Sequence, residues 1–145
     1  MIKINHALSL LADDHKKIGS MFSQFRALTK DQWQEKIKLI AAIFRAVAVH
    51  AQMEEEILYP AITSEISDKR FADEVLGKLT ATKLLITNLE HMHPNDPLFD
   101  EKVRMLETIF FGHVETEEGQ LFSQIRDSKI DLIAIGEDMA IFRDE

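Results

Sequence analysis

The chain contains no cysteine. Disulfides, iron–sulfur clusters and thiolate nucleophiles are therefore excluded, and the absence fits a reducing cytosol. Glycine and proline are scarce, five and three in 145 residues. Long helices tolerate little of either, so this shortage favours helices over turn-rich folds. No apolar run approaches the length of a bilayer crossing, so no membrane span is expected. The first fifteen residues lack a basic segment and a long apolar stretch, and Asp13–Asp14 interrupts them, so no signal peptide is expected. Positive charge is also short: 17 Lys and Arg stand against 25 Asp and Glu, a formal net charge of −8. That balance argues against a nucleic-acid partner and is compatible with cation binding. The expected setting is cytoplasmic.

What the chain has in quantity is helical periodicity, on a length suited to one core. From Asn5, a good N-cap, the stripe Leu8, Leu11, His15, Ile18, Phe22, Phe25 advances in steps of three and four, as a helix in a bundle does. Thr29 to Asp31 reads as a turn, with Asp31 and Gln34 resembling a capping box. A second stripe runs Trp33, Ile37, Ile40, Phe44, Val47, Ala51, Glu54, Leu58, and Pro60 predicts a kink or an end. Ser67–Asp68 offers the next N-cap, followed by Phe71, Val75, Leu79, Thr82, Ile86 and Leu89. The run His93–Pro97 breaks the chain. Asp96 as cap and Pro97 as first helical residue open a fourth stripe, Phe99, Val103, Leu106, Phe110, His113, Glu117, Leu121. After a pause at Ser123 to Ser128, Ser128 and Asp131 suit the cap of a short helix to about residue 142, with Ile130, Ile133, Ala134 and Ile141 as its apolar positions. The fold class expected is all-α: an up-down-up-down four-helix bundle over residues 1–126, with a fifth helix over 127–145 packed on the bundle or at an interface.

Ionisable residues interrupt three of these stripes. His15, Glu54, His113 and Glu117 stand where apolar side chains belong, and His50 precedes Glu54 by one turn as His113 precedes Glu117. A charged group facing a core is costly unless it is paired or bound to a metal. Counting from the helix ends at 1.5 Å per residue puts His15, Glu54 and Glu117 at one depth, roughly 10–12 Å below one end of the bundle. His50 and His113 fall a turn deeper. Residues four apart share a helix face, so both members of each His-x-x-x-Glu pair reach one cluster. Imidazole and carboxylate together suit Fe, Mn or Zn. A lone core histidine is as often simply hydrogen-bonded, and one His-x-x-x-Glu is more often an exposed helix pair. Five such residues on converging faces favour a metal site. Glu55, Glu56, Glu115 and Glu118 read as a solvated face, though Glu55 and Glu118 directly follow the candidate ligands and could instead stand behind them, and His6, His91 and His93 read as surface residues.

These segments carry a resemblance. Asp14–His15 within LLADDHKKIGSMF, His50-Ala-Gln-Met-Glu54-Glu-Glu-Ile-Leu-Tyr-Pro60 and His113-Val-Glu-Thr-Glu117-Glu-Gly-Gln-Leu-Phe122 are similar to the hemerythrin-like, or HHE cation-binding, family, up to about residue 126. The resemblance implies a non-haem di-iron bundle that binds O2 or senses oxygen, nitric oxide or iron. It implies ligand roles for His15, His50, Glu54, His113 and Glu117, with the two glutamates bridging. The third helix departs from the family, which usually places a histidine there. Here the neighbourhood is Gly77-Lys78-Leu79-Thr80-Ala81-Thr82, and the depth count puts Leu79 at the empty corner. The remaining five donors suit a dinuclear site with open positions, or a single metal, or another divalent ion. Lys78 or Lys83 turned inward would instead neutralise the glutamates. The leading expectation is iron-based sensing, storage or scavenging, not catalysis, with a small ligand such as O2 or NO and a homodimer as the assembly to test. The alternatives are a di-metal oxidase or peroxidase-like enzyme and a metal-depleted interaction module.

Overall fold

The computed structural model describes residues 6–144, all helix and connection. α1 spans Ala7–Ala27 and α2 Trp33–Met53. A π-helical turn at Glu54–Leu58 passes without a break into α3, Tyr59–Glu65. α4 spans Arg70–Glu90 and α5 Phe99–Thr116. A second π-helical turn, Glu117–Leu121, leads into α6, Phe122–Arg126. α7 spans Leu132–Asp144. Four long rods therefore form the bundle, and a shorter helix lies against α1 and α2. No helix among the described residues is long and apolar enough to cross a membrane.

The caps form one or two residues away from several of the expected places. Asn5 lies outside the described residues; His6 holds the start of α1, its Nδ1 accepting from the Leu8 amide at 3.2 Å. The Asp31–Gln34 box does not form. Gln32 precedes α2, and its side chain accepts from the Thr29 amide instead. Asp68 accepts from the Arg70 amide, but α4 begins only at Arg70. Asp96 accepts from the Leu98 amide at 2.9 Å, and Pro97 falls in the turn before α5. Asp131 caps α7 through the Ala134 amide at 3.0 Å. Pro60 does not end the helix: it comes just after the π turn, and the chain stays helical to Glu65.

The α1 and α5 stripes are buried as periodicity predicts. The α2 stripe is rotated at its start. Trp33 and Ile37 are 37% and 41% exposed, and Lys36 is buried in their stead. Its ammonium reaches both oxygens of Asp100 at 2.9 and 3.1 Å and lies over the Phe25 ring. A buried lysine is costly alone and tolerable when paired in this way. Arg26 and Glu107 form another ion pair, this one between α1 and α5. The apolar face of α7 also differs from the expected one. Met139 is fully buried and Leu132, Ile135 and Phe142 pack beside it, whereas Ile133 and Ile141 are exposed.

The buried apolar side chains form two separate clusters, one above and one below a single level of the bundle. The upper contains Leu11, Ala51, Leu79 and Leu121; the lower contains Ile18, Val47, Ile86 and Phe110. On three rods a buried polar residue stands between the two clusters: His15 on α1, His50 on α2 and His113 on α5, with Glu54 and Glu117 one turn after the last two. This polar layer is where the fold places its chemistry.

Candidate metal centre

The layer brings all five expected residues together. His15 comes from α1, His50 from the last turn of α2, Glu54 from the turn that follows, His113 from α5 and Glu117 from the second π turn. Each offers one ligating atom, and these atoms lie within 4.8 Å of one another. All five residues are buried. Glu54 lies at the head of its π turn, and its carbonyl accepts the Tyr59 amide; Glu117 does the same for Phe122. The wider turn repeats in both His-x-x-x-Glu segments. Such π turns gather at functional sites because they re-aim the side chains that follow.

The nitrogens and oxygens converge without satisfying one another. His50 Nε2 lies 2.5 Å from Glu54 Oε1. His113 Nε2 lies 3.3 Å from Glu54 Oε1 and 3.2 Å from Glu117 Oε2. His15 Nε2 lies 3.2 Å from Glu117 Oε1. Yet Glu54 Oε1, both oxygens of Glu117 and both ring nitrogens of His113 lack a hydrogen-bond partner of proper geometry. Buried polar groups are almost always hydrogen-bonded, so five orphaned atoms in one spot need a cause. Donors aimed at a shared point rather than at each other fit a cation among them. The residues present therefore fit a metal, and imidazole with carboxylate is the chemistry that divalent transition ions take.

The outward sides of two imidazoles are held. His15 Nδ1 donates to Glu118 Oε2 at 2.6 Å, and His50 Nδ1 donates to Asp14 Oδ2 at 3.2 Å. Carboxylates behind metal-binding histidines fix the ring and its tautomer. Glu118 was expected among the solvated residues; its side chain is 40% exposed and still reaches His15. Glu55 does face outward and pairs with Lys83 at 2.5 Å. Ring packing adds to the orientation. Phe122 stacks on His15 and Phe110 on His113. Tyr59 donates its hydroxyl to Glu54 Oε2 at 3.0 Å. Tyr59 carried a signal in the sequence, as the only tyrosine, five residues after Glu54.

Charge is divided unevenly across the layer. Burial works against an ionised Glu54, but the adjoining His50 and His113 hold it well below the usual carboxylate range. Burial, and then the charge of Glu54, push Glu117 well above that range. Burial also opposes a charged His50, yet Glu54 and Asp14 raise it to about 10. His15 is lowered by burial and by its charged neighbour His50. These directions favour charge on His50 and Glu54 and a proton on Glu117. His50 Nε2 and His15 Nε2 lie 3.2 Å apart.

α4 supplies no donor to this cluster. Leu79 is buried in the upper apolar cluster, and Thr82, a turn further along α4, donates its hydroxyl to the Lys78 carbonyl. The corner that the depth count gives to Leu79 thus has no donor from α4. The lysines do not fill it. Lys78 reaches the Gly112 carbonyl and Thr116 at 3.1 and 2.9 Å, and Lys83 reaches Glu55.

Comparison with known proteins agrees with this geometry. The family described as Hemerythrin HHE cation binding domain matches residues 6–125. A DNA nickase of Nostoc sp. (strain PCC 7120 / SAG 25.82 / UTEX 2576) is 29% identical over 115 residues, 79% of this chain. The match covers 32% of that relative, so the chain spans about a third of its length. The crystal structure of a Hemerythrin HHE cation binding domain-containing protein from Mycobacterium kansasii superposes with a TM-score of 0.83 at 17% identity. The superposition covers 99% of this chain and 87% of that one, and it shows a shared fold.

Proposed function

Because the chain belongs to the hemerythrin HHE cation-binding domain family, we propose that it is a non-haem iron protein that binds a small diatomic ligand such as O2 or nitric oxide. The observation that carries this reading is the donor set: three imidazoles and two carboxylates, buried, with ligating atoms within 4.8 Å of one another. Helical bundles use inward-facing Glu and His in this way for paired metal ions. His15, His50, His113, Glu54 and Glu117 are the residues that would hold the metal. Iron bound there supplies a reversible change of oxidation state and coordination positions that a diatomic molecule can occupy.

The chain's own residues do the rest. Five donors are fewer than two six-coordinate ions take up, so positions stay open, and the side facing α4 is lined by groups that do not ligate. Asp14 and Glu118 keep two imidazoles in place, and Phe110 and Phe122 pack against the rings. The burial of all five donors excludes bulky substrates. These features favour reversible binding, hence sensing, storage or scavenging, over turnover of a larger substrate. The nickase activity of the Nostoc relative belongs to a protein about three times as long. A net charge of −8 gives no support for carrying it to this chain.

The test is anaerobic loading with Fe(II), followed by air or nitric oxide. About two irons per chain are expected for a paired site, with a visible absorption change when the gas is admitted. His50→Ala and His113→Ala should each lower the iron content. Wild-type stoichiometry in both variants, or no uptake by the native chain, would overturn the assignment.

A further inference from the structure

The C-terminal helix is tied to the layer by contacts that begin outside the matched segment, residues 6–125. Near the end of α7, Arg143 Nη1 lies 3.1 Å from Asp14 Oδ1. The other oxygen of the same carboxylate, Oδ2, accepts from His50 Nδ1 at 3.2 Å. His50 is fully buried, and its Nε2 faces the cluster. Asp14 is 13% exposed in its side chain, so both of its contacts are shielded from bulk water, where charge pairs are weak. α7 is seated by Met139, with Ile135 and Phe142 against the upper core.

An imidazole that ligates through Nε2 is aimed by whatever its Nδ1–H donates to. An aspartate on a helix has several staggered rotamers, and only some of them reach His50. Arg143 holds the carboxylate by one oxygen and leaves the other for the ring. The same turn of α1 then carries one donor, His15, and the carboxylate that orients another, His50.

We propose that Arg143 is a positioning residue for the metal centre: it holds Asp14 against His50 and makes α7 a strap whose docking and metal binding reinforce each other. This rests on reading the five donors as metal ligands. Coupling of this kind is reciprocal. A seated strap raises metal affinity, and bound metal keeps the strap seated by the same factor.

The probe is Co(II) alone, titrated into the full chain while its visible bands are followed. Asp14→Ala should bind Co(II) about 10- to 100-fold more weakly, the usual loss for a residue behind a metal ligand. Arg143→Ala should lose about tenfold, within the range of ordinary coupling between sites, and Arg143→Lys should recover part of it. The double variant should be no weaker than Asp14→Ala, because Arg143 acts through that carboxylate. Co(II) should slow hydrogen exchange along α7 in the native chain and not in Arg143→Ala. Should the alanine variant lose helicity, Arg143→Gln, which keeps most of the side chain and drops the charge, is expected to show the same loss of affinity. Native affinity in folded Arg143 variants, or strictly additive losses in the double variant, would overturn the strap while leaving the metal reading intact. A native chain that binds no Co(II) would overturn both.

Discussion

Tyr59 and Phe122 each follow a layer glutamate by five residues, and they differ by one hydroxyl. Tyr59 gives Glu54 Oε2 a donor, while both oxygens of Glu117 lack one. Burial and the charge of Glu54 push the Tyr59 hydroxyl far above its ordinary range, so it stays protonated and able to donate. Tyr59→Phe should destabilise the metal-free protein by roughly 1.5–3 kcal/mol, the worth of a hydrogen bond to a charged group. Urea unfolding of the metal-free chain measures it. The empty corner also belongs to single residues. Lys78 meets Gly112 and Thr116, beside His113, and Thr82 lies a turn further along α4, so Leu79→His should raise Co(II) affinity more than Thr82→His. An imidazole left unpaired in an apolar setting costs about 1–3 kcal/mol, so Leu79→His should be less stable than the native chain without metal and regain stability with it. Equal affinities in both variants and the native chain would show that α4 does not face the ion.

The two π turns are the elements on which the site depends. An α-helix turns about 100° per residue. The Glu54–Leu58 turn takes up one residue more than an α turn, so Tyr59, five residues on, still faces Glu54. Deleting Glu56, an exposed residue inside that turn, should restore ordinary α-helix with the tyrosine kept one turn beyond Glu54, and so removes the wider turn alone. The expected result is retained helicity by circular dichroism and weaker metal uptake, because the Glu54 carboxylate is re-aimed. A deletion variant with native Co(II) affinity would remove the turn from the site. α7 shows how far an element can be read in advance. A helix in the last segment was legible, and its packing on the bundle was one of two outcomes foreseen. Its buried face was not, because Ile133 and Ile141 are as apolar as Leu132 and Ile135. Only the surface offered by α1 and the Glu54 turn selects among them.

At the scale of the whole molecule, the layer links stability to pH and to metal. His50 is raised to about 10 from an ordinary value near 6.5, and Glu117 is held well above its own. Both groups bind a proton more firmly in the folded chain than in the unfolded one. His50's contribution to stability is therefore complete below pH 6.5 and is lost as pH rises through about 10. Glu117 works in the same direction, since folding favours its protonated form. Glu54 is depressed, and its contribution is lost only in acid, as pH falls through its lowered value. Metal-free stability should thus fall between pH 7 and 9, by about 1.4 kcal/mol per pH unit for each proton held only by the folded state. A bound divalent ion displaces those protons, so metal should release protons on binding and its affinity should rise with pH. Calorimetry in buffers of different ionisation enthalpy reads the release, and denaturant midpoints with and without metal read the stability. A metal-free midpoint that is flat from pH 7 to 9 would refute the charge arrangement.

The sequence by itself determined the helices, most of their buried stripes and the five residues of the layer, because these follow from local periodicity and from the cost of a charge in a core. The spacing of His50 and Glu54, and of His113 and Glu117, needs no tertiary information to place each pair on one helix face. Tertiary structure alone decided what depends on neighbours from other rods. It made Lys36 a buried partner of Asp100 while Trp33 and Ile37 stayed exposed. It turned Glu118 from the surface toward His15. It also brought Arg143 to Asp14, at the other end of the chain. Such contacts join residues many turns apart, and no period along a single helix records them.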